Sequence, residues 1–161
     1  MSVGLLKDMV ERRPLNVAML GLDVGKKTIG LALSDPGQTL ATPLQTIRRT
    51  RFAKDMEFLN VVITEYDVDG FVLGYPVNMD GSEGPCAQSI RDFAIEMERT
   101  LGNDPWIALW DERLSTVSAD NIVDKMVQKR KTKVNAKASG LIDKLAAQVI
   151  LQGALDFMKK Y

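Results

Sequence analysis

Residues 17–27 have the sequence VAMLGLDVGKK and give the clearest indication of the fold of this chain. The apolar run at their start suits a β-strand that is covered on both faces, and the DVGKK segment supplies a turn. Residues 28–34, TIGLALS, have the composition of an antiparallel partner. The sequence therefore predicts a hairpin that opens the domain, with Asp23 at the end of its first strand.

The remaining elements follow from turn signals and apolar spacing. Asp35-Pro36-Gly37 is a strong turn signal, and Pro43 weakens the third strand to an edge or bulged one. The predicted elements after the hairpin are a strand at 40–47, a helix at 52–63, a buried strand at 71–74, a helix from 83–85 to Gly102, a strand at 106–110, a helix from Ser115 or Thr116 to about Lys129, and a helix from Ala138 to about Lys159. We expect a βββαβαβαα order, a five-stranded mixed sheet flanked by helices in one α/β domain at 15–161, and an N-terminal extension at 1–14.

Composition limits the chemistry that the chain can perform. The 161 residues contain no histidine, which excludes Ser-His-Asp and Cys-His catalysis and histidine-ligated zinc. The single cysteine, Cys86, excludes an internal disulfide, and we expect it to fill a helix face. If the chain is an enzyme, carboxylates, lysines or hydroxyls must perform its chemistry.

The sequence gives no sign of a membrane or export segment. Its apolar runs are shorter than the ~20 residues that a transmembrane helix needs, and the N-terminus lacks the apolar region of a signal peptide. We therefore expect a cytoplasmic protein with no membrane partner.

Acidic residues follow two predicted strands and enter one apolar helix. Asp23 follows the first strand, and Asp111 and Glu112 follow the strand at 106–110. Because neighbouring strand residues face opposite sides, only one of Asp111 and Glu112 is expected to point at Asp23. Asp143 lies beside the buried stripe of the last helix, where a charge needs a partner or a metal. A turn, a cap or a helix dipole explains each acid equally well when it is considered alone.

Together the acids form an all-oxygen set that suits Mg²⁺ or Mn²⁺, which activate water and stabilise the leaving oxygen in phosphodiester hydrolysis. We predict Asp23, Asp111, Glu112 and Asp143 as catalytic candidates. Asp23, Glu112 and Asp143 are the predicted metal ligands, and Asp111 is the alternative to Glu112.

Basic residues must account for any contact with nucleic acid, since 21 Lys and Arg balance 21 Asp and Glu. The predicted nucleic-acid-binding residues are Lys26, Lys27, Arg113, Lys129, Arg130, Lys131, Lys133 and Lys137. A solvated helix end is the alternative explanation of the last five, and contact with nucleic acid is slightly favoured over it. A second basic cluster at residues 48–54 has the same two interpretations.

Residues 74–84, GYPVNMDGSEG, follow the fourth predicted strand and are rich in turn formers. We predict that they form a loop of the site. Within it, Glu83 either adds a ligand or caps the following helix, and capping is the favoured role.

Four motifs, in order along residues 16–158, resemble one known family. They are GLDVG at 21–25 with IGLA at 29–32, GYP at 74–76 with MDGSEG at 79–84, DERLST at 111–116, and ID at 142–143 with AA at 146–147. The chain resembles the YqgF family, also called RuvX. Two departures are visible: Thr28 stands where the family usually has arginine, and Tyr75 replaces the commoner leucine. Loss of that arginine is expected to weaken a phosphate contact and to leave the acids intact.

The resemblance implies an RNase H-like fold related to Holliday junction resolvases and a nuclease role in maturing the 5′ end of pre-16S ribosomal RNA. It assigns Asp23, Asp111 or Glu112, and Asp143 to metal binding. Partners would be RNA, branched DNA or ribosomal precursor particles, with the chain a monomer or a homodimer. Two alternatives stay open: a resolvase that cuts branched DNA, and a non-catalytic RNA- or ribosome-binding protein. A phosphotransferase of the actin and sugar-kinase type is disfavoured, because it needs two domains.

Overall fold

A computed structural model describes residues 3–78, 80–114 and 136–161 of the chain. Its elements run in this order: strand β1 Val3–Leu5, helix α1 Leu6–Met9, a 3-10 turn Val10–Arg12, β2 Ala18–Val24, β3 Thr28–Ser34, β4 Ala41–Arg48, α2 Phe52–Tyr66, β5 Val68–Tyr75, α3 Pro85–Leu101, β6 Trp106–Asp111, a 3-10 turn Glu112–Leu114, and α4 Ala136–Met158. The helix predicted from Ser115 or Thr116 to Lys129 lies outside the described residues. None of the helices described here is long and apolar enough to cross a membrane.

The strands form one mixed sheet in the order β1-β6-β5-β2-β3-β4. β2 is antiparallel to β3 and parallel to β5, and β5 is parallel to β6. The prediction of a mixed α/β sheet is confirmed, and so is the hairpin. The predicted strand number was one too low, because β1 adds a sixth strand at the sheet edge.

β1 lies in the segment that was predicted to be an N-terminal extension. Val3–Leu5 pairs in parallel with Ile107, Ala108 and Leu109 of β6. The turn after it buries Leu6, Met9 and Val10, and the indole Nε1 of Trp106 donates a hydrogen bond of 3.0 Å to the Met9 carbonyl. Three residues of strand are too short to show a periodic pattern, so the signal was absent from the sequence.

Turn chemistry explains where the observed boundaries differ from those predicted. The strand predicted at 71–74 begins earlier in the structure: among residues 67–70 only Asp67 has the left-handed conformation of a turn, with φ 54°, and β5 begins at Val68. β4 is an edge strand, as Pro43 predicted, and its register with β3 shifts next to that proline. Because proline cannot donate a backbone hydrogen bond, such positions suit an edge or a bulge.

Two layers of helix cover the sheet. α2 and α3 pack on one face, in a cluster that contains Leu20, Leu22 and Phe93, whereas α4 packs on the other face with Trp110 and Leu151. Side chains alternate along a strand, so Met19, Gly21 and then Asp23 of β2 point to the sheet face that α4 covers. The carboxyl ends of β2, β5 and β6 meet beside α4, at the edge of the sheet where the predicted acids lie.

Candidate active site

Asp23 is the penultimate residue of β2 and lies directly opposite Gly30 of β3. Its side chain points to the sheet face that α4 covers, because Gly21, two residues earlier, lies against that helix: a Cβ added to Gly21 would lie 2.6 Å from the Cβ of Leu151. Asp23 is therefore held within a strand, next to the helix that carries Asp143.

Gly30 explains how α4 approaches Asp23. A Cβ at this position would overlap the backbone carbonyl of Asp143. Any larger residue would push the helix away from the end of β2. Two residues earlier, at the turn end of the same strand, the Thr28 hydroxyl donates a hydrogen bond of 2.7 Å to Asp143 Oδ2 and orients that carboxylate. Thr28 thus links β3 to the carboxylate of Asp143 on α4.

Burial and the nearby Asp143 carboxylate raise the pKa of Asp23 from 3.8 to about 6. Burial is the larger cause, because removing water disfavours the charged form of an acid. The second cause is repulsion between two negative charges. The structure thus places Asp143 close enough to Asp23 for their charges to interact, and the pair would gain from a bound cation.

Glu112 reaches the same part of the site from the end of β6. Its Oε1 lies 2.7 Å from where a Cβ on Gly74 would stand, so the absence of a side chain at Gly74 gives it room. Asp23, Gly74 and Glu112 line one cleft of about 440 Å³, together with residues from the first turns of α3. The two carboxylates therefore face a shared space that is open to a ligand.

Asp111 faces elsewhere. It pairs with Tyr75 in the register of β5 and β6, and it lines a separate cavity that borders β1. Arg113 Nη2 lies 2.7 Å from Asp111 Oδ2, and hydrogen bonds from Arg113 lower the pKa of Asp111. Asp111 ends β6 and Glu112 begins the 3-10 turn that follows. The two side chains line different cavities, and the structure brings Glu112 rather than Asp111 to the cleft of Asp23.

The three predicted metal ligands fit a hard divalent cation in chemistry but are not fully assembled. Asp23, Glu112 and Asp143 offer only oxygen atoms, which Mg²⁺ and Mn²⁺ prefer. Within the part of the chain that the structure describes, no three such residues are close enough to hold an ion as they stand. Asp23 and Asp143 form the close pair, and Glu112 lines the cleft beside them.

The predicted basic residues have different placements. Lys26 lines the cleft, Lys27 is exposed in the neighbouring turn, and Arg113 is occupied by Asp111. Lys129, Arg130, Lys131 and Lys133 lie outside the described residues, as does the side chain of Lys137.

Two residues that line the cleft, Cys86 and Arg49, were not predicted as site residues from the sequence. Cys86 was expected to fill a helix face, but it is exposed in the first turn of α3 and lines the cleft. The reason is its position directly after Pro85, the first residue of the helix, since that end faces the site. Arg49 also lines the cleft. Four basic residues lie close together at 48–54, and nothing in the sequence indicates which of them faces the site.

The loop after β5 lies beside the site without contributing a carboxylate to it. Asn78 accepts a backbone hydrogen bond from Gly81 and donates one to Ser82, which closes the loop tightly. The favoured capping role of Glu83 was wrong: α3 has no side-chain cap, and Glu83 Oε1 instead lies 3.0 Å from Arg91 Nη2. Arg91 also stacks on the Tyr75 ring, 5.4 Å from its centroid. Glu83 therefore anchors the loop to α3.

Comparison with solved structures supports the fold. The chain is similar to "T. thermophilus RuvC in complex with Holliday junction substrate", with a TM-score of 0.56 and 10% identity over 85% of this chain and 91% of that one. It is also similar to the yeast mitochondrial Holliday junction resolvase, with a TM-score of 0.50 and 9% identity over 97% and 86% of the two chains. At such identities the likeness shows the RNase H-like fold alone.

Sequence comparison supplies closer relatives. Two proteins named "Putative pre-16S rRNA nuclease" are similar to this chain: that of Rhodospirillum centenum is 43% identical over 99% of this chain and 84% of its own length, and that of Paramagnetospirillum magneticum is 50% identical over 86% and 84%. The family model described as "RuvX: Holliday junction resolvase" matches residues 17–157. The chain therefore belongs to the RuvX family of nucleases.

Proposed function

We propose that this chain is a metal-dependent nuclease that hydrolyses RNA phosphodiester bonds and acts in 5′-end maturation of pre-16S ribosomal RNA. The observation that supports this best is the shared cleft of Asp23 and Glu112, with Asp143 close enough to raise the pKa of Asp23. Carboxylates on three different elements are the donor set that phosphodiester hydrolysis with divalent cations requires.

Asp23, Glu112 and Asp143 would hold the cation, Mg²⁺ or Mn²⁺. When bound, the cation would supply charge stabilisation at the phosphate and make water a better nucleophile. The chain's own contribution is to place two carboxylates where their repulsion favours a cation. Thr28 orients the Asp143 carboxylate toward the site through its 2.7 Å hydrogen bond.

The choice of RNA rests on the relatives. Those named above share 43% and 50% of their aligned residues with this chain, and their names give pre-16S rRNA as the substrate. The family model, by contrast, is described as a Holliday junction resolvase. Branched DNA is therefore the second candidate substrate.

A cleavage assay with two substrates tests the proposal. Wild-type protein and Asp23→Asn would be incubated with a structured RNA that spans the 5′ processing site of the small-subunit precursor and with a branched DNA, each with Mg²⁺, Mn²⁺ or chelator. We expect metal-dependent cleavage of the RNA that disappears with Asp23→Asn. Preferential cleavage of branched DNA would replace the RNA assignment with a resolvase. Binding of RNA without any cleavage would indicate a non-catalytic RNA-binding protein.

A further inference from the structure

We propose that Arg49 contacts a phosphate of the nucleic-acid strand that enters the Asp23–Glu112 cleft. This proposal rests on the proposed function only in taking nucleic acid as the ligand. It is carried by three features of Arg49: its place in the cleft, the way its guanidinium is held, and the charges around it.

Arg49 follows the last residue of β4 and is hydrogen-bonded to the turn that follows Asp23 and β2. Its backbone N–H donates a hydrogen bond of 2.8 Å to the carbonyl of Lys27. Its Nη1 donates a second, of 2.6 Å, to the carbonyl of Gly25, two residues after Asp23. Both contacts bring the arginine to the mouth of the cleft rather than leaving it in solvent.

A contact with an aromatic ring helps to hold the guanidinium in place. The Cζ atom of Arg49 lies 5.5 Å from the ring centroid of Phe93, within the range of a favourable cation–π contact. Phe93 is itself 5% exposed and packs edge-on against Phe52, so the platform is rigid. A prearranged arginine loses less conformational entropy when it binds a ligand than a free side chain does.

The charge of Arg49 has no carboxylate partner among the described residues: no ion pair within 4.0 Å involves it. A guanidinium carries five N–H donors in a planar fork that matches two oxygens of a phosphate. One N–H group of the Arg49 side chain donates to the Gly25 carbonyl. The remaining donors and the full positive charge are available to an anion.

A phosphate is the anion that the cleft requires. Asp23 and Glu112 line the same space, and their negative charges would repel a nucleic-acid backbone unless cations nearby offset them. Lys26 also lines the cleft, but it is exposed, whereas Arg49 is half-buried. Arg49 is therefore the cation whose position is set before the substrate arrives.

Arg48 provides a matched control. It neighbours Arg49 and has the same charge, but its side chain is exposed and does not line the cleft. Binding of a short, labelled, single-stranded RNA would be measured in chelator, so that no cleavage occurs, for wild type, Arg49→Gln, Arg49→Lys and Arg48→Gln over a range of salt concentrations.

We expect Arg49→Gln to weaken RNA binding by roughly tenfold or more, because a charge-assisted hydrogen bond is lost. The slope of log affinity against log salt should fall by about 0.7, the value for one phosphate contact on a single strand. Arg49→Lys should recover part of the affinity, and Arg48→Gln should change it little. Equal affinities and equal salt slopes for Arg49→Gln and Arg48→Gln would overturn the proposal.

Neutral methylphosphonate linkages, introduced one at a time into the RNA, locate the contact and guard against a folding defect in Arg49→Gln. One of these linkages should lower the RNA affinity of wild type, and it should lower that of Arg49→Lys by a smaller factor, since the lysine makes a weaker contact with that phosphate. If every linkage affects both proteins equally, Arg49 contacts none of these phosphates. The binding readout is independent of turnover, so a wild-type protein that binds RNA without cleaving it would refute the nuclease proposal and leave this one standing.

Discussion

Asp23 carries a negative charge where both burial and Asp143 oppose it. Its pKa in the folded chain is about 6, against 3.8 for a free carboxyl, so the folded state binds the proton more tightly than the unfolded state. Stability therefore falls as pH rises from about 4 to about 6 and then levels off. One pKa unit corresponds to about 1.4 kcal/mol, so ionised Asp23 costs the cation-free fold on the order of 3 kcal/mol above pH 6.

Asp23→Asn removes this cost. In chelator, we expect the variant to exceed wild type in free energy of unfolding by up to about 3 kcal/mol above pH 6, and to match it below about pH 4. Urea denaturation across that range measures the difference. If the variant is less stable than wild type at neutral pH, the charge of Asp23 is stabilised by a partner in the folded chain and does not destabilise it.

The hydroxyl of Thr28 orients Asp143 through a hydrogen bond of 2.7 Å. Thr28→Val keeps the shape of the side chain and removes the donor, so we expect Mg²⁺ or Mn²⁺ to bind roughly tenfold more weakly, as for partners that orient metal ligands elsewhere. Thr28→Ser keeps the hydroxyl and is the control. Calorimetric titration with Mn²⁺ gives both affinities. Equal affinities for the valine and serine variants would remove Thr28 from the site.

The sequence predicted which acids to consider and named Glu112 as the metal ligand with Asp111 as its alternative, but no local pattern decides between them. Asp111 ends β6, Glu112 follows it, and either suits a metal. The structure separates them: Asp111 pairs with Arg113 beside another cavity, whereas the bare backbone at Gly74 leaves space for Glu112. That space comes from a residue 38 positions away in sequence, outside any local pattern.

Among the elements, α4 has the greatest influence on the site, because it carries Asp143 and touches β3 at Gly30. Gly30→Ala would place a methyl group against the Asp143 carbonyl, and neither backbone can yield cheaply. We expect a loss of roughly 1–3 kcal/mol in stability from overpacking and a weaker metal site as the helix shifts. Chemical denaturation and Mn²⁺ titration measure the two effects.

Gly140→Ala is the matched control for that change. It adds the same methyl group to α4, where the nearest atoms belong to Thr46 at 3.9 Å, an ordinary contact. Since alanine favours a helix over glycine by about 1 kcal/mol, this variant should be as stable as wild type or more so. Similar losses in both variants would mean that the close approach at Gly30 does not position α4.

The order of the elements could be predicted because turn residues separate them. β3 was predicted with its observed limits, Thr28–Ser34, since Lys26-Lys27 and Asp35-Pro36-Gly37 flank it on either side. β5 was predicted too short at its start, because Asp67 and Gly70 are both residues that favour turns. Gly70 belongs to the strand because it pairs with Met19 of β2, which local sequence does not reveal. The placement of α4 over Gly30 has no counterpart in local sequence.

At the scale of the whole molecule, residues 3–12 are part of the folded unit. Leu6 is 2% exposed and packs in the cluster that also contains Trp110, whereas Leu15, a few residues later, is 64% exposed. Leu6→Ala should cost about 2–5 kcal/mol in free energy of unfolding, as for other buried leucines, and Leu15→Ala about 0.5 kcal/mol or less. Thermal and urea unfolding compare them. A negligible loss for Leu6→Ala would mean that the N-terminal segment folds apart from the sheet.

The architecture as a whole places Glu112 and Asp111 on different cavities, so only Glu112 is expected to act in cleavage. The single-turnover rate of cleavage of the proposed pre-16S substrate by Glu112→Gln and by Asp111→Asn, with Mg²⁺ in excess, tests this separation. We predict a loss on the order of 100-fold or more for Glu112→Gln, because it removes a proposed metal ligand from the cleft. Asp111→Asn should stay within about tenfold of wild type, since it changes an ion pair with Arg113 outside that cleft. The reverse pattern, with Asp111→Asn inactive and Glu112→Gln active, would mean that Asp111 rather than Glu112 acts in cleavage.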